Sequence, residues 1–186
     1  RRILPAEVER DLDDMAGTGA RWLRASIDWG HIESAPGVYD WTGTDRVVLG
    51  GLRRGMSVIG VITYAPGWAA HSGCHAECAP RDPAEYAAFS RVAADRYAGL
   101  GVSHWEIWNE PNHAVFWSPR PDPAAYVDAL RRASLEIHAV DVEQNLAGKD
   151  LKFRMGIELY PIQQIAVRAG LDETELTFGA GFYMKP

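Results

Sequence analysis

Residues 104–112 read HWEIWNEPN, and the predicted fold of the chain is built outward from this stretch. Trp105 and Ile107 favour a β-strand, whereas Pro111 has no amide hydrogen to donate to a further ladder bond. We therefore expect the strand to stop at Glu110 and open into a loop. In parallel α/β folds, ligands bind at the carboxyl ends of the strands. Glu110 is thus a candidate functional carboxylate.

The neighbours of Glu110 suit one kind of chemistry. Asn109 offers both a donor and an acceptor to a hydroxyl group, and Trp108 offers a flat apolar surface. Cleavage of a glycosidic bond requires a carboxylic acid close to the leaving oxygen. The alternative interpretation is a strand-end Glu that only caps a helix or pairs with a cation.

The motif Trp108-Asn109-Glu110-Pro111 resembles the Asn-Glu-Pro signature of retaining glycoside hydrolases of clan A. The longer string over residues 105–112 is most similar to the branch near families 39 and 5, which includes cellulase-type enzymes. The resemblance implies a (β/α)8 barrel with Glu110 as the acid/base after the fourth strand. It also implies that Asn109 holds the sugar 2-hydroxyl, and it implies neither a metal nor a cofactor.

Composition excludes several other classes of protein. The chain has 186 residues, of which 47% are hydrophobic, so it can bury a sizeable core. A net charge of −6 offers nothing to nucleic acid and no polybasic membrane patch. No apolar run reaches the roughly 18–20 residues of a membrane-spanning helix. No signal peptide is visible, but residue 1 is Arg and not Met, so this absence says little about export. We expect a secreted protein.

The first part of the chain alternates helix and strand. Residues 5–17 predict a helix, and residues 21–27 predict a buried strand that ends at Asp28. The resemblance makes this the second barrel strand, with the first expected upstream of residue 1. Arg24 then matches the strand-two Arg that supports the nucleophile carboxylate in the clan, although a surface Arg is the alternative. Trp29 is expected at the rim of the cleft.

The next segment is a turn-rich connector over residues 32–41 that contains a Pro-Gly pair. It resembles a structural fingerprint of the clan, and Thr44 or Asp45 is a candidate cap for the helix that follows. Residues 56–64 are nearly all apolar, as in a parallel strand covered on both faces. Tyr64 and Trp68 follow this strand, so we expect at least one of them to contact substrate.

The loop over residues 69–81 contains Cys74 and Cys78, with His71 and His75 nearby. Three interpretations remain open. The pair could form a local disulfide, which an exported protein favours. It could belong to a zinc site, although the second spaced pair of such sites is missing. It could also be two free thiols.

Two further helices complete the repeat. Asp82 and Pro83 predict the start of one helix, and Asp122-Pro123 predict the start of another. Trp117 lies in the loop after the signature strand and is expected to line the cleft. All seven Trp fall between Trp22 and Trp117, and core packing accounts for at least half of them. Residues 1–141 are therefore predicted to be a partial (β/α)8 TIM barrel, about strands 2–4.

The pattern changes after residue 141. Three runs alternate apolar and polar residues with a period of two, which predicts an antiparallel β-meander tail over residues 142–186. The tail resembles strands of outer-membrane proteins, and only through residues 150–186 would the chain approach a membrane. We interpret the junction as a sign of a truncated or fused chain. The alternative is a meander that caps the exposed edge of the half-barrel.

The mechanism implied by the resemblance needs a second carboxylate, the nucleophile, about 5–5.5 Å from the first. The clan supplies it from a seventh strand, which has no recognisable counterpart here. Glu158 and Asp28 are weak candidates. The leading hypothesis is retaining hydrolysis of the O-glycosidic bonds of a β-linked oligo- or polysaccharide, with the nucleophile not identified. A non-catalytic carbohydrate-binding remnant is the alternative.

Overall fold

A computed structural model of the chain describes residues 5–71, 74, 77–148, 154–162, 165–172 and 175–182, with side chains up to residue 143. The chain divides into two compact units, Arg1–Asp141 and Val142–Pro186. The helices are α1 (Pro5–Gly17), α2 (Trp29–Ile32), α3 (Thr42–Arg53), α4 (Pro83–Ala98) and α5 (Pro123–Gly148). The strands are β1 (Trp22–Asp28), β2 (Glu33–Ala35), β3 (Val38–Tyr39), β4 (Ser57–Thr63), β5 (His104–Ile107), β6 (Arg154–Ile162), β7 (Ile165–Asp172) and β8 (Glu175–Phe182).

The first unit is built on a parallel sheet with the strand order β1-β4-β5. In the middle strand, Ile59 lies between Arg24 of β1 and His104 of β5, and Val61 lies beside Glu106. α3 connects β1 to β4, and α4 connects β4 to β5, as parallel strands require. The α/β class is therefore confirmed, with an open sheet and no closed barrel in the part of the chain that the structure describes.

The two faces of this sheet differ in burial. Along β1, Leu23, Ala25 and Ile27 are buried and alternate with exposed residues such as Arg24. The buried set packs on the helices, and a Cβ on Gly51 of α3 would lie 2.5 Å from Cδ2 of Leu23. The opposite face carries Arg24, and the strand register places Glu106 on it as well. We call it the inner face.

The connector between β1 and α3 is structural, as its sequence predicts. β2 and β3 form an antiparallel pair around Pro36-Gly37. Glu33 is only 5% exposed, and its carboxylate accepts hydrogen bonds from the Gly37 amide at 2.7 Å and from Nε1 of Trp29 at 2.5 Å. Its carbonyl accepts a third bond, from Nε1 of Trp68 at 3.0 Å. The side chain and the backbone carbonyl of this one buried residue therefore fix the connector to two indole rings.

α3 begins earlier than predicted, so the expectation that Thr44 or Asp45 caps it is wrong. Its first residue is Thr42, whose amide donates to Oδ1 of Asp40 at 3.0 Å. Asp45 lies within the first turn and accepts a hydrogen bond from the hydroxyl of Tyr97 at 2.8 Å. That side chain therefore joins α3 to α4.

The second unit contains an antiparallel sheet with the strand order β6-β7-β8. The connections between its strands are short, at 163–164 and 173–174. The side chains of this unit from residue 144 onward lie outside what the structure describes. The assignment of residues 142–186 as a separate β-strand tail therefore stays a prediction. Even α5, a helix of 26 residues, lacks the apolar stretch needed to cross a bilayer.

Candidate active site

Glu110 lies at the carboxyl edge of the parallel sheet, in the loop after β5. Strand pairing continues one residue beyond β5, because the amide of Trp108 donates to the carbonyl of Ile62 at 2.9 Å. Two residues later, Glu110 is exposed and its backbone is in the left-handed region, with φ of 45°. The structure thus places this carboxylate where the strand opens into the loop.

Strained backbone is concentrated at the same edge. Among the described residues other than glycine, φ is positive at Tyr64 (50°), Trp108 (72°) and Glu110 (45°). Such conformations cost roughly 1–3 kcal/mol each and tend to occur at functional sites. Tyr64 follows β4, and the other two follow β5, so all three lie at the ends of neighbouring strands. The backbone conformation therefore indicates a functional site at this edge, independently of the sequence motif.

Arg24 fixes the orientation of Asn109. Its Nη2 donates to Oδ1 of Asn109 at 3.2 Å, and its Nε donates to Oε2 of Glu106 at 2.9 Å. Because an Arg side chain has donors only, the amide oxygen has to face it. The Nδ2 of Asn109 then faces Tyr64 and donates to its hydroxyl over a long 3.5 Å. The amide is thus held between β1 and the end of β4.

Tyr64 is surrounded by negative charge. Burial raises the pKa of its hydroxyl above the usual 10.0, and the hydrogen bond from Asn109 acts in the opposite direction. Three carboxylates, those of Glu77, Asp28 and Glu110, raise the pKa further. The hydroxyl therefore stays protonated at neutral pH and is available as a hydrogen-bond donor.

A cavity of about 480 Å³ opens beside Tyr64 and is lined by Asp28, His31, Glu77 and Cys74, among others. This volume lies in the range of small-molecule sites, roughly 300–1,000 Å³. Asp28 has a structural task there, since its Oδ1 accepts the His31 amide at 3.1 Å and caps α2. Its Oδ2 lies 2.8 Å from Nδ1 of His31. The cavity is thus lined by polar and apolar residues, with the carboxylates of Asp28 and Glu77 among them.

Solved structures with a similar fold include glycoside hydrolases. A family 39 glycoside hydrolase from the gut symbiont Bacteroides cellulosilyticus WH2 matches 74% of this chain at 25% sequence identity, with a TM-score of 0.52. The N-terminal part of the chain has a glycoside hydrolase fold. A family 1 β-glucosidase from Thermotoga maritima, in complex with isofagomine lactam, matches 80% of the chain at 22% identity and a TM-score of 0.50. The AHE enzyme from Alicyclobacillus herbarius matches 73% at 17% identity and a TM-score of 0.51.

The glycoside hydrolase fold is partial in this chain. The chain spans 27% of the family 39 enzyme, 36% of the β-glucosidase and 34% of the AHE enzyme. No family model matches the sequence, and no curated protein does. These neighbours support a partial TIM-type fold of clan A kind for the N-terminal part.

Three tryptophans that were expected to contact substrate lie in the core of this glycoside hydrolase fold. Trp29 is 0% exposed, Trp108 3% and Trp117 2%. Trp108 packs edge-on against Trp117, with ring centroids 4.8 Å apart, and its Nε1 donates to the carbonyl of Phe116. A ring with no exposed face cannot stack on a sugar, so the prediction that these three bind substrate is wrong. All three pack on other aromatic rings instead.

The remaining predicted residues differ in how much they offer a ligand. Trp68 is half-buried, and its Nε1 is taken by the carbonyl of Glu33. Tyr64 lies directly beside Asn109 and the cavity. Arg24 is on the inner face, where it holds Asn109 and pairs with Glu106, so it positions the amide in this structure. The substrate-binding roles of Arg24, Tyr64 and Trp68 stay predictions.

Two residues of the site were not singled out from the sequence. Along β5, the side chain of Glu106 lies on the opposite face from those of Trp105 and Ile107. This strand alternation places Glu106 on the inner face with Arg24. Phe116 stacks on Tyr64, with centroids 6.4 Å apart and an interplanar angle of 20°. The sequence carries no signal for that contact, because it depends on how the loop folds.

Cys74 and Cys78 form a disulfide, which decides between the three interpretations of this loop. The bond closes a ring over a sequence separation of four residues, beside the cavity. The zinc and free-thiol interpretations are therefore wrong for the chain in this state.

Replacing both Cys74 and Cys78 by Ser should lower the free energy of unfolding by about 2 kcal/mol, because a short cross-link removes conformational entropy from the unfolded chain. Thermal melts of both proteins, with and without dithiothreitol, measure the effect. The reductant should lower the melting temperature of the parent protein and leave the double variant unchanged. An equal melting temperature for reduced and oxidised parent protein would contradict the prediction.

Proposed function

We propose that this chain hydrolyses O-glycosidic bonds of a β-linked oligo- or polysaccharide by the retaining mechanism, with Glu110 as acid/base. The observation that carries the proposal is the pairing of an exposed strand-end carboxylate with an amide held in a fixed orientation. Glu110 is exposed at the carboxyl edge, and Asn109 is fixed by Arg24 and Tyr64. The family 39 and family 1 neighbours supply the reaction class and the β-glucoside as a first probe.

In the first step, protonated Glu110 donates its proton to the glycosidic oxygen while the bond from that oxygen to the anomeric carbon breaks. A nucleophilic carboxylate forms a bond to the same carbon from the opposite face. In the second step, the Glu110 carboxylate takes a proton from water, and the resulting hydroxide displaces the nucleophile. One water molecule is consumed, and both carboxyl groups return to their starting states.

Asn109 is suited to hold the sugar 2-hydroxyl. Arg24 occupies its amide oxygen, and Tyr64 weakly occupies one of the two hydrogens on Nδ2. The second hydrogen remains for a substrate hydroxyl. Hydrogen bonds to this hydroxyl strengthen in the transition state of glycoside hydrolysis, so an amide held in advance favours the reaction.

The nucleophile stays a prediction. Asp28 lines the cavity but is engaged as the cap of α2, and the side chain of Glu158 lies outside the described residues. If neither serves, this chain binds carbohydrate through the same residues without turning it over. Secretion is also part of the proposal, since the disulfide is of a kind that persists in oxidising compartments.

Removing the Asn109 amide should abolish recognition of the 2-hydroxyl. We expect the parent protein to bind methyl β-D-glucopyranoside about tenfold more tightly than its 2-deoxy analogue, the value of one good hydrogen bond. Asn109→Ala should bind the two sugars equally in isothermal titration. Asn112→Ala, an exposed neighbour, is the control and should keep the tenfold ratio.

The same titrations separate the two functions. Binding with release of glucose supports the hydrolase, and binding without release supports the carbohydrate-binding remnant. An Asn109→Ala protein that still discriminates between the two sugars would remove Asn109 from recognition. Failure of the parent protein to bind any β-glycoside would overturn the proposal.

A further inference from the structure

Tyr64 is held in an unusual backbone conformation by hydrogen bonds at both ends of one peptide group. Its φ is 50°, in the left-handed region, which costs free energy for a bulky residue and persists only where the surroundings enforce it. The carbonyl of Tyr64 accepts the Gly30 amide at 2.9 Å. The next amide along the chain, that of Ala65, donates to the carbonyl of Cys78 at 2.9 Å. The peptide group that follows Tyr64 is therefore fixed from α2 on one side and from Cys78 on the other.

The disulfide is the strongest tie on Cys78. It joins this residue covalently to Cys74, whereas two backbone bonds from the same segment to the loop after β5 are long. The amide of Ser118 donates to the carbonyl of Glu77 at 3.4 Å, and the amide of Ala79 donates to the carbonyl of Ser118 at 3.4 Å. Both distances exceed the roughly 2.7–3.2 Å of a good hydrogen bond. Without the disulfide, the segment that carries the Cys78 carbonyl is therefore weakly held.

The backbone conformation of Tyr64 determines where its side chain lies. The ring stacks on Phe116 and meets Trp108 edge-on, with centroids 6.4 and 5.7 Å apart, and the hydroxyl accepts the bond from Nδ2 of Asn109 at 3.5 Å. A change in the sign of φ redirects the Cα–Cβ bond relative to the chain, so the ring leaves these partners. We propose that the disulfide is a redox-sensitive clamp that holds Tyr64 beside Asn109, and that reduction releases Tyr64. The effect of the clamp on sugar binding rests on the proposed function.

The reductant is a dithiol, and the reaction is thiol–disulfide exchange. A thiolate of the dithiol attacks the sulfur of Cys74, because Cys74 is half-buried whereas Cys78 is only 3% exposed. A mixed disulfide forms, and the sulfur of Cys78 leaves as a thiolate that takes up a proton. The second thiol of the reductant then displaces the sulfur of Cys74. Two electrons and two protons pass to the protein, and the reductant is left as a cyclic disulfide.

Solution NMR of the full, isotope-labelled chain gives φ of Tyr64 from backbone couplings and chemical shifts. We expect φ near 50° in the oxidised chain and a negative φ, roughly −60 to −160°, after reduction with dithiothreitol. The double variant Cys74→Ser/Cys78→Ser keeps the Cys78 carbonyl but lacks the cross-link, so it should show the negative φ with or without the reductant. Glu110, whose φ is also positive, is the internal control and should keep its conformation throughout.

The effect on sugar binding is measured by the ratio of the affinities for methyl β-D-glucopyranoside and its 2-deoxy analogue. Reduction should lower this ratio about two- to fivefold, because Asn109 loses one of the two groups that fix its amide. A positive φ at Tyr64 in the reduced chain, or a loss of positive φ at Glu110 as well, would overturn the clamp. An unchanged affinity ratio would overturn its link to Asn109. If the oxidised chain bound no β-glycoside, the proposed function would fail, and the NMR comparison would still decide whether the clamp exists.

Discussion

Glu110→Gln should lower the turnover of methyl β-D-glucopyranoside by about 10²–10⁴-fold, the usual contribution of a positioned general acid. The amide keeps the shape of the side chain but has no acidic proton to give. The loss of kcat/KM, which reports the first step alone, should be much smaller for 2,4-dinitrophenyl β-D-glucopyranoside, whose leaving group departs without protonation. Steady-state kcat/KM values for the two substrates measure the difference directly.

Glu136→Gln is the matched control. Glu136 is a half-exposed carboxylate on α5 that lies 3.4 Å from Arg91, and its loss should leave both rates unchanged. If Glu110→Gln lowered kcat/KM equally for both substrates, a structural defect would explain the result better than a lost acid. Full activity of Glu110→Gln on the methyl glycoside would remove this residue from the mechanism.

Trp29→Ala should lower the free energy of unfolding by about 3–5 kcal/mol, the usual range for a large aromatic residue removed from a core. The ring is 0% exposed and stacks on Phe89, with centroids 5.5 Å apart and an angle of 20°. It also meets Trp68 edge-on at 5.6 Å. The truncation further leaves the buried Glu33 carboxylate without one of its donors. Urea unfolding followed by fluorescence gives the value.

Trp29→Phe separates the ring from its N–H group. It should cost about 1–3 kcal/mol, because the packing is largely kept and only the bond to Glu33 is lost. A tryptophan at the rim of a cleft would show the reverse pattern, with sugar binding weakened and stability within about 0.5 kcal/mol of the parent protein. That outcome for Trp29→Ala would contradict the core position.

Local patterns in the sequence predicted the elements that depend on local physics. α1 was expected over residues 5–17 and is observed at Pro5–Gly17, because Pro5 suits the first turn and Gly17 ends the apolar repeat. Asp82 was expected to cap α4, and its side chain accepts the Ala84 amide at 2.8 Å. Caps and helical repeats involve residues a few positions apart, so the sequence contains what is needed to find them.

The position of the aromatic side chains could not be predicted in the same way. Trp29 follows β1 as Glu110 follows β5, so strand-end position suggested a cleft for both. The difference lies in Asp28, which caps the short helix α2 and so turns the chain at once, and in Glu33, which binds the indole N–H in the core. Both effects depend on residues that face each other only after the connector has folded.

The contact between Arg24 and Glu106 could not be predicted from the motif either. The two residues are 82 positions apart, and they meet because β1 and β5 flank β4 with a definite register. Strand alternation places each on the inner face, but only the parallel pairing brings them together. The same pairing brings Arg24 to Asn109 and thereby orients the Asn109 amide.

Glu110 is expected to lie beside the glycosidic oxygen of a bound β-glycoside. A crystal structure of Glu110→Gln soaked with phenyl β-D-glucopyranoside measures the distance between the side chain at position 110 and that oxygen. We expect the side chain at position 110 within about 2.6–3.2 Å of the glycosidic oxygen, with the sugar 2-hydroxyl on Asn109. A sugar bound at another surface, or a side chain at position 110 turned away from that oxygen, would contradict it.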